Sequence, residues 1–287
     1  MLNMLLIKIM PFSALKILFL KLLGAKIGVG VKIGFSSTIR AKNYSNIIIG
    51  NYVEIGRNVN IKVADLDIGN FSIIGNNVEI LGDGKFTLGQ SSFISNMHID
   101  TLGGIQIGDF FACSYGNISS HDFSETWFNP GKKYKKFNLV IGNNVWMGAR
   151  ASSLNGNIGS ESLIAGGSVV LSDLPNNSFA IGNPAKVIKK NELKEIDLNL
   201  ITKRDFQENI NNKCKKYKIF FTNKLVSKKD FENFQSDVVI CNYLEPEFVS
   251  LFKKPVISLK DRKVYNMKSY LIGVVRELRA WGIFLKD

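Results

Sequence analysis

Between Ile27 and Val170 an aliphatic residue, in most cases followed by glycine, recurs at a spacing of six with a few slips between blocks, and that interval restricts the fold more than any other feature of the chain. Ile27-Gly28 and Ile33-Gly34 lead to Ile39. Ile49-Gly50 and Ile55-Gly56 lead to Ile61, and Ile68-Gly69 and Ile74-Gly75 lead to Ile80. Leu88-Gly89 and Ile94, Ile107-Gly108 and Cys113, then Ile141-Gly142, Met147-Gly148, Ser153, Ile158-Gly159, Ile164 and Val170 continue the register. A period of six is neither the helical period of about 3.6 nor the simple alternation of a lone strand, so each unit is a short strand plus a turn. Such units stack into a β-solenoid, with one apolar side chain per unit pointing to the axis and three units closing a triangular coil. The corners need positive φ, which this reading assigns to the Gly or Asn beside each inward residue, as in IGNYVEI and IGNNVWM. Because each coil touches only its neighbours, both ends of the stack need covers.

The flanks read differently. Residues 1–24 are strongly apolar, but Lys8, Pro11, Lys16 and Lys21 break the run before it could span a bilayer. A helix covering the open end of the solenoid is expected there, and its apolar and lysine content also suits contact with a membrane surface. The lysines inside the apolar run and the lack of a small-x-small cleavage site argue against a signal peptide. The solenoid occupies 25–190 and is interrupted at 119–138 by SSHDFSETWFNPGKKYKKFN, an aperiodic stretch expected to protrude. After Lys190 the glycine corners stop. Strands are expected at 218–222, 237–243 and 255–259, and helices at 227–234 and 267–284, making a small α/β appendage over 195–287. Cys113, Cys214 and Cys241 are too scattered for a disulfide framework or a zinc cage, so a reducing cytoplasm fits and no metal is implied. The net charge of +13 points to an anionic partner, but no basic block or nucleic-acid module is present, so nucleic acid is not expected.

The block from Ile27 to Val187 resembles the hexapeptide-repeat acyltransferases, most specifically in IGNNVWMGARASSLNGNIGSESLIAGGSVVLSDLPNNSFAIGNPAKVIKK, which is similar to the end of the coil in the maltose, galactoside, xenobiotic and capsule O-acetyltransferases. The resemblance implies an all-β, left-handed parallel β-helix, a homotrimer with active sites between neighbouring coils, and acetyl-CoA as acyl donor. It further implies O-acetylation of a saccharide, an acidic one among the options, such as a capsule or O-antigen precursor at the inner face of the membrane. N-acetylation of a nucleotide-linked amino sugar and a non-catalytic scaffold are the alternatives.

Acetyl transfer from a thioester to a hydroxyl needs a group that removes the hydroxyl proton, and a neutral imidazole is suited to it. Of the two histidines, His121 in ISSHDF stands where the resembling enzymes carry their catalytic base. His98 lacks that context and is read as structural or substrate-lining. Asp122 is the adjacent carboxylate that could hold the imidazole, with Glu125 or a carbonyl as alternatives. Asn96 falls in a segment resembling an acceptor-binding Asn of the galactoside subgroup. For acetyl-CoA, the resemblance assigns Trp146, Gly148, Ala165, Gly166, Gly167 and Ser168 to the pantetheine arm, and Asn183, Pro184, Ala185 and Lys186 to the adenine end. Lys186, Lys189 or Lys190 could meet the phosphates.

Overall fold

The computed structural model describes residues 10, 12–190, 203–213, 219–222, 238–241, 256–258, 263–265 and 278. The chain divides into two compact units, Met1–Leu193 and Lys194–Asp287. The first is a parallel β-helix. Its short strands form three faces, of six, nine and seven strands, filled in turn by successive coils, and the last strand of the nine, Ala185–Lys190, folds back antiparallel on Ser178–Gly182. Register is kept by the inward residues: Ile27 pairs with Ile49, Ile49 with Ile68, Ile68 with Leu88, Leu88 with Ile107 and Ile107 with Ile141. Isolated bridges carry the same column on to Ile158 and Leu174. Every inward position of the six-residue register is buried, Ser153 included. Ile99 and Ile118 also lie in this core, one residue short of the six-residue step from Ile94 and Cys113, which hides them from a strict periodicity.

The corners correct one expectation. The glycine after each inward residue does not have positive φ; the left-handed residue comes two positions later, at Tyr52, Asn58, Phe71, Asn77, Phe110 and Asn144 among others. The glycine is needed for clearance instead: a Cβ on Gly34 would lie 2.3 Å from the Gly56 carbonyl oxygen, and one on Gly50 would lie 2.7 Å from the Asn70 amide nitrogen. The asparagine between them ties coils together. Asn51 Oδ1 accepts from Val29 N–H at 3.0 Å, Asn70 Oδ1 from Asn51 N–H at 2.6 Å and Asn143 Oδ1 from Asp109 N–H at 2.8 Å. Stacking satisfies corner amides that the short strands cannot.

Helix α1 (Ser13–Leu22) lies on the first coil, with Leu20 and Lys16 fully buried. The Lys16 ammonium donates to the carbonyl oxygens of Gly34 (2.8 Å) and Ser37 (3.1 Å), and Ser13 Oγ accepts from Ile33 N–H at 2.8 Å. The opposite side of α1 leaves Phe12, Leu15, Leu18 and Leu22 exposed. Among the described residues no helix is long and apolar enough to cross a membrane.

In the second unit, strands Ile219–Thr222, Val238–Cys241 and Val256–Ser258 run parallel, with Lys263–Tyr265 antiparallel at the edge. The expected strands at 218–222, 237–243 and 255–259 correspond to the first three; the fourth and the helix Arg204–Lys213 were not anticipated. The expected helices at 227–234 and 267–284 lie outside the described residues, Leu278 excepted.

Candidate functional site

Strand His98–Asp100 sits in the seven-stranded face with Ile99 buried, so its two flanking side chains turn outward together. The next coil places Ser119 beside Asp100 in register. The chain then leaves the coil at Ser120, whose buried hydroxyl donates to the Asp100 carbonyl at 2.9 Å and accepts from Gly103 N–H at 2.9 Å. This anchored turn lays the His121 ring over Asp100. His121 Nδ1 is 3.0 Å from Asp100 Oδ1, which also accepts from Leu102 N–H at 3.0 Å. Ser119 Oγ lies 3.2 Å from the same ring nitrogen and 3.3 Å from the His121 carbonyl oxygen.

A carboxylate can only accept, so Nδ1 carries the proton and donates to Asp100, which leaves the lone pair on Nε2. The side chains of His121 and Asp100 are 17% and 23% exposed: shielded, but open to a ligand. This is the base-and-orienter arrangement that proton removal from a hydroxyl requires.

The carboxylate on the imidazole is therefore Asp100, not Asp122. Asp122 Oδ1 accepts from Ser124 N–H at 2.8 Å, closing a turn, and that bond holds its carboxyl below the usual carboxylate range. Glu125 is engaged by Lys135. Sequence reading missed Asp100 because it lies a whole coil away. The signal that could have found it is the repeat: aligning coils puts Asp100 opposite Ser119, two residues before His121.

The 119–138 interruption begins as the antiparallel pair His121–Asp122 with Lys135–Lys136 and carries helix α2 (Ser124–Phe128) between them. Phe123 meets the His121 ring edge-on at 4.8 Å and stacks on Tyr134 at 4.5 Å. Trp127 and Phe128 are among the most exposed aromatics, at 83% and 80%.

Asn96 and His98 line an open groove of about 580 Å³ with Asn58, Asn77, Tyr115 and Arg150. Within it Asn58, Asn77 and Asn96 form an amide ladder, Asn58 Nδ2 donating to Asn77 at 3.3 Å and Asn77 Nδ2 to Asn96 at 3.2 Å. His98 Nδ1 pairs with the exposed Glu79 at 3.4 Å. His98 thus shares the outward side of its strand with Asp100 but not the ring-to-carboxylate geometry of His121.

The residues assigned to acetyl-CoA gather on the last coils of the nine-stranded face, where strand Trp146–Met147 pairs with Leu163–Ile164, then Ser178–Gly182, then Ala185–Lys190. Trp146 is half exposed. Gly148 is explained by stacking alone, since a Cβ there would lie 2.5 Å from the Gly166 nitrogen. Gly167, with φ of +72°, has nothing within 4 Å of its missing Cβ and faces open space beside Gly166. Ala165 N–H donates to the Ala180 carbonyl at 2.9 Å, and the buried Ser168 hydroxyl accepts from Gly182 N–H at 3.1 Å, so both brace the edge rather than point from it. Asn183 and Pro184 are joined by a cis peptide in the turn before the exposed Lys186, Ala185 is buried, and Lys189 Nζ stands 5.2 Å over the Phe179 ring. Among the described residues no cluster of His, Cys, Asp and Glu is arranged to hold a metal ion.

No family model matches the chain. It is similar to the provisionally named acetyltransferase YJL218W of Saccharomyces cerevisiae, 55% identical over 53 residues that span 18% of this chain and 27% of the yeast protein. It is also similar to the bifunctional protein GlmU of Wolbachia pipientis, 32% identical over 165 residues, 57% of this chain and 35% of that one. The chain thus spans well under half the length of these curated relatives. Among solved structures, a point mutant of AntD, an N-acyltransferase from Bacillus cereus in complex with dTDP and coenzyme A, is similar at 25% identity and a TM-score of 0.43, covering 60% of this chain and 88% of AntD. The six-residue repeat wound into three faces, taken with the partial sequence matches to proteins named as acetyltransferases, supports a likeness of the solenoid to the hexapeptide-repeat acyltransferases.

Proposed function

We propose that this protein transfers the acetyl group of acetyl-CoA to a hydroxyl of a surface saccharide, with His121 as general base and Asp100 as its positioning carboxylate. The observation that carries the reading is the 3.0 Å contact between His121 Nδ1 and Asp100, which leaves Nε2 as the proton acceptor. The acceptor hydroxyl gives its proton to Nε2 as its oxygen attacks the thioester carbon. The proton then passes from the imidazolium to the sulfur as the C–S bond breaks, so CoA leaves as a thiol and the ester remains on the sugar. While the imidazole is protonated, the nearby Asp100 charge stabilises it.

Acetyl-CoA fits the exposed edge formed by Trp146, Gly166 and Gly167, with Lys186, Lys189 and Lys190 as counter-charges for its phosphates. Gly148, Ala165, Ser168, Asn183, Pro184 and Ala185 shape that edge. Asn96 is assigned to acceptor binding through the groove it lines at the His98 end of strand His98–Asp100. Assembly as a homotrimer would bring the edge of one copy against the His121 side of the next. The exposed row Phe12, Leu15, Leu18 and Leu22, with Lys21 beside it, supports docking of α1 at the inner face of an anionic membrane.

The test is thiol release from acetyl-CoA against a panel of surface glycans, free sugars and nucleotide-linked amino sugars, comparing the natural protein with His121→Ala. Glycan-dependent release that the substitution abolishes is expected. Turnover confined to the amino sugars would replace O-acetylation by N-acetylation, and unchanged turnover in the variant would remove His121 from the mechanism.

A further inference from the structure

The arm that leaves the coil at His121 has a charge balance that its own contacts do not neutralise. It carries Lys132, Lys133, Lys135 and Lys136 against Asp122 and Glu125. Both carboxylates are used within the arm: Asp122 closes the turn to Ser124, and Glu125 binds Lys135 and feels the charge of Lys132. Lys133 and Lys136 are exposed, and neither has an acidic partner among the described residues.

Lys136 is also close to the chemistry. It is the cross-strand partner of His121, and its Nζ stands 5.4 Å from the Tyr134 ring centroid. Tyr134 and Phe123 are stacked at 27°, and both meet the His121 ring edge-on, at 6.5 and 4.8 Å. One side of the imidazole is therefore an aromatic wall with an ammonium on it. The C–H face of a pyranose can lie on such a wall, while the ammonium needs an anion.

Resting on the acetyltransferase reading above, we propose that the arm selects an anionic saccharide, with Phe123 and Tyr134 under the sugar ring and the arm's two lysines without an acidic partner, Lys136 at the wall and Lys133 next to Tyr134 in the chain, pairing with its carboxylate. The experiment is a glycan array in which uronic-acid and sialic-acid oligosaccharides are each printed beside their carboxyl-reduced, neutral counterparts. It would be probed with the natural protein, with Lys133→Gln/Lys136→Gln and with Lys133→Arg/Lys136→Arg, while calorimetry follows CoA binding by all three. Acidic glycans should bind at least about tenfold better than their neutral twins, the glutamine pair should lose that preference, the arginine pair should keep most of it, and CoA binding should not change. Equal binding of acidic and reduced glycans, binding of neither, or a preference that survives the glutamine pair would overturn the proposal. Failure of the natural protein to bind CoA would instead sink the acyltransferase reading, whatever the array shows.

Discussion

At the scale of single residues, the His121–Asp100 pair explains how so exposed a solenoid can hold the proposed base in one orientation: the ring is fixed by a carboxylate on a strand, and strands are the rigid part of this fold. Asp100→Asn keeps the shape but lets an amide donate to Nδ1, which would put the ring proton on Nε2, where the acceptor hydroxyl must bind. A fall in kcat of at least about 100-fold with little change in KM for acetyl-CoA is expected in steady-state thiol release. An equal rise in KM would instead give Asp100 a part in holding the donor. Gly148 makes the opposite case, a residue matched to the cofactor whose missing Cβ is already required by packing. Gly148→Ala should lower stability by about 2–3 kcal/mol in urea unfolding, because the added carbon meets backbone that cannot move aside. Cys113 belongs to the core: burial pushes its thiol up to about 12. Thiolate, the reactive form, is therefore nearly absent below that pH, so iodoacetamide at pH 8 should leave the Cys113 peptide unmodified until denaturant is added.

Among the elements, α1 and the arm depart from the repeat and do what the repeat cannot. The first coil has no coil before it, so carbonyl groups at its corner lack the partners that stacking supplies elsewhere. Lys16 takes that place by reaching through α1 to Gly34 and Ser37. Lys16→Met preserves most of the buried chain but removes both donors, and a loss of about 1–3 kcal/mol in urea unfolding would show that the ammonium, not the hydrocarbon, closes this end. An unchanged midpoint would mean that water takes its place. The arm uses aromatic stacking and a two-residue strand pair, contacts that a six-residue pattern does not encode.

For the molecule as a whole, the proposed donor edge and the proposed base lie on different faces of the solenoid, an arrangement that would suit an assembly of several copies. Sedimentation velocity should give three times the chain mass, and an active monomer would require both halves of the site to be reached within one copy. The solenoid itself was largely legible. Ile27 through Val170 could be placed on the axis from spacing alone, because a coil that repeats in space must repeat in sequence. Ile99 and Ile118 escaped because the step shortens by one residue ahead of each. The positive-φ sites were misassigned because Gly, Asn and the residue after them sit in a row, and only coordinates separate clearance from left-handed backbone.

The sequence by itself determined the architecture and one half of the candidate site, His121, since both are written in local order: a period for the coil and a lone histidine at its interruption. The tertiary structure alone decided which carboxylate faces that histidine, which glycines are explained by stacking and which lysines of the arm remain unpaired. Those are questions of register between coils. A solenoid brings together residues a full turn apart, while Asp122, next to His121 in the chain, turns away to close its own loop.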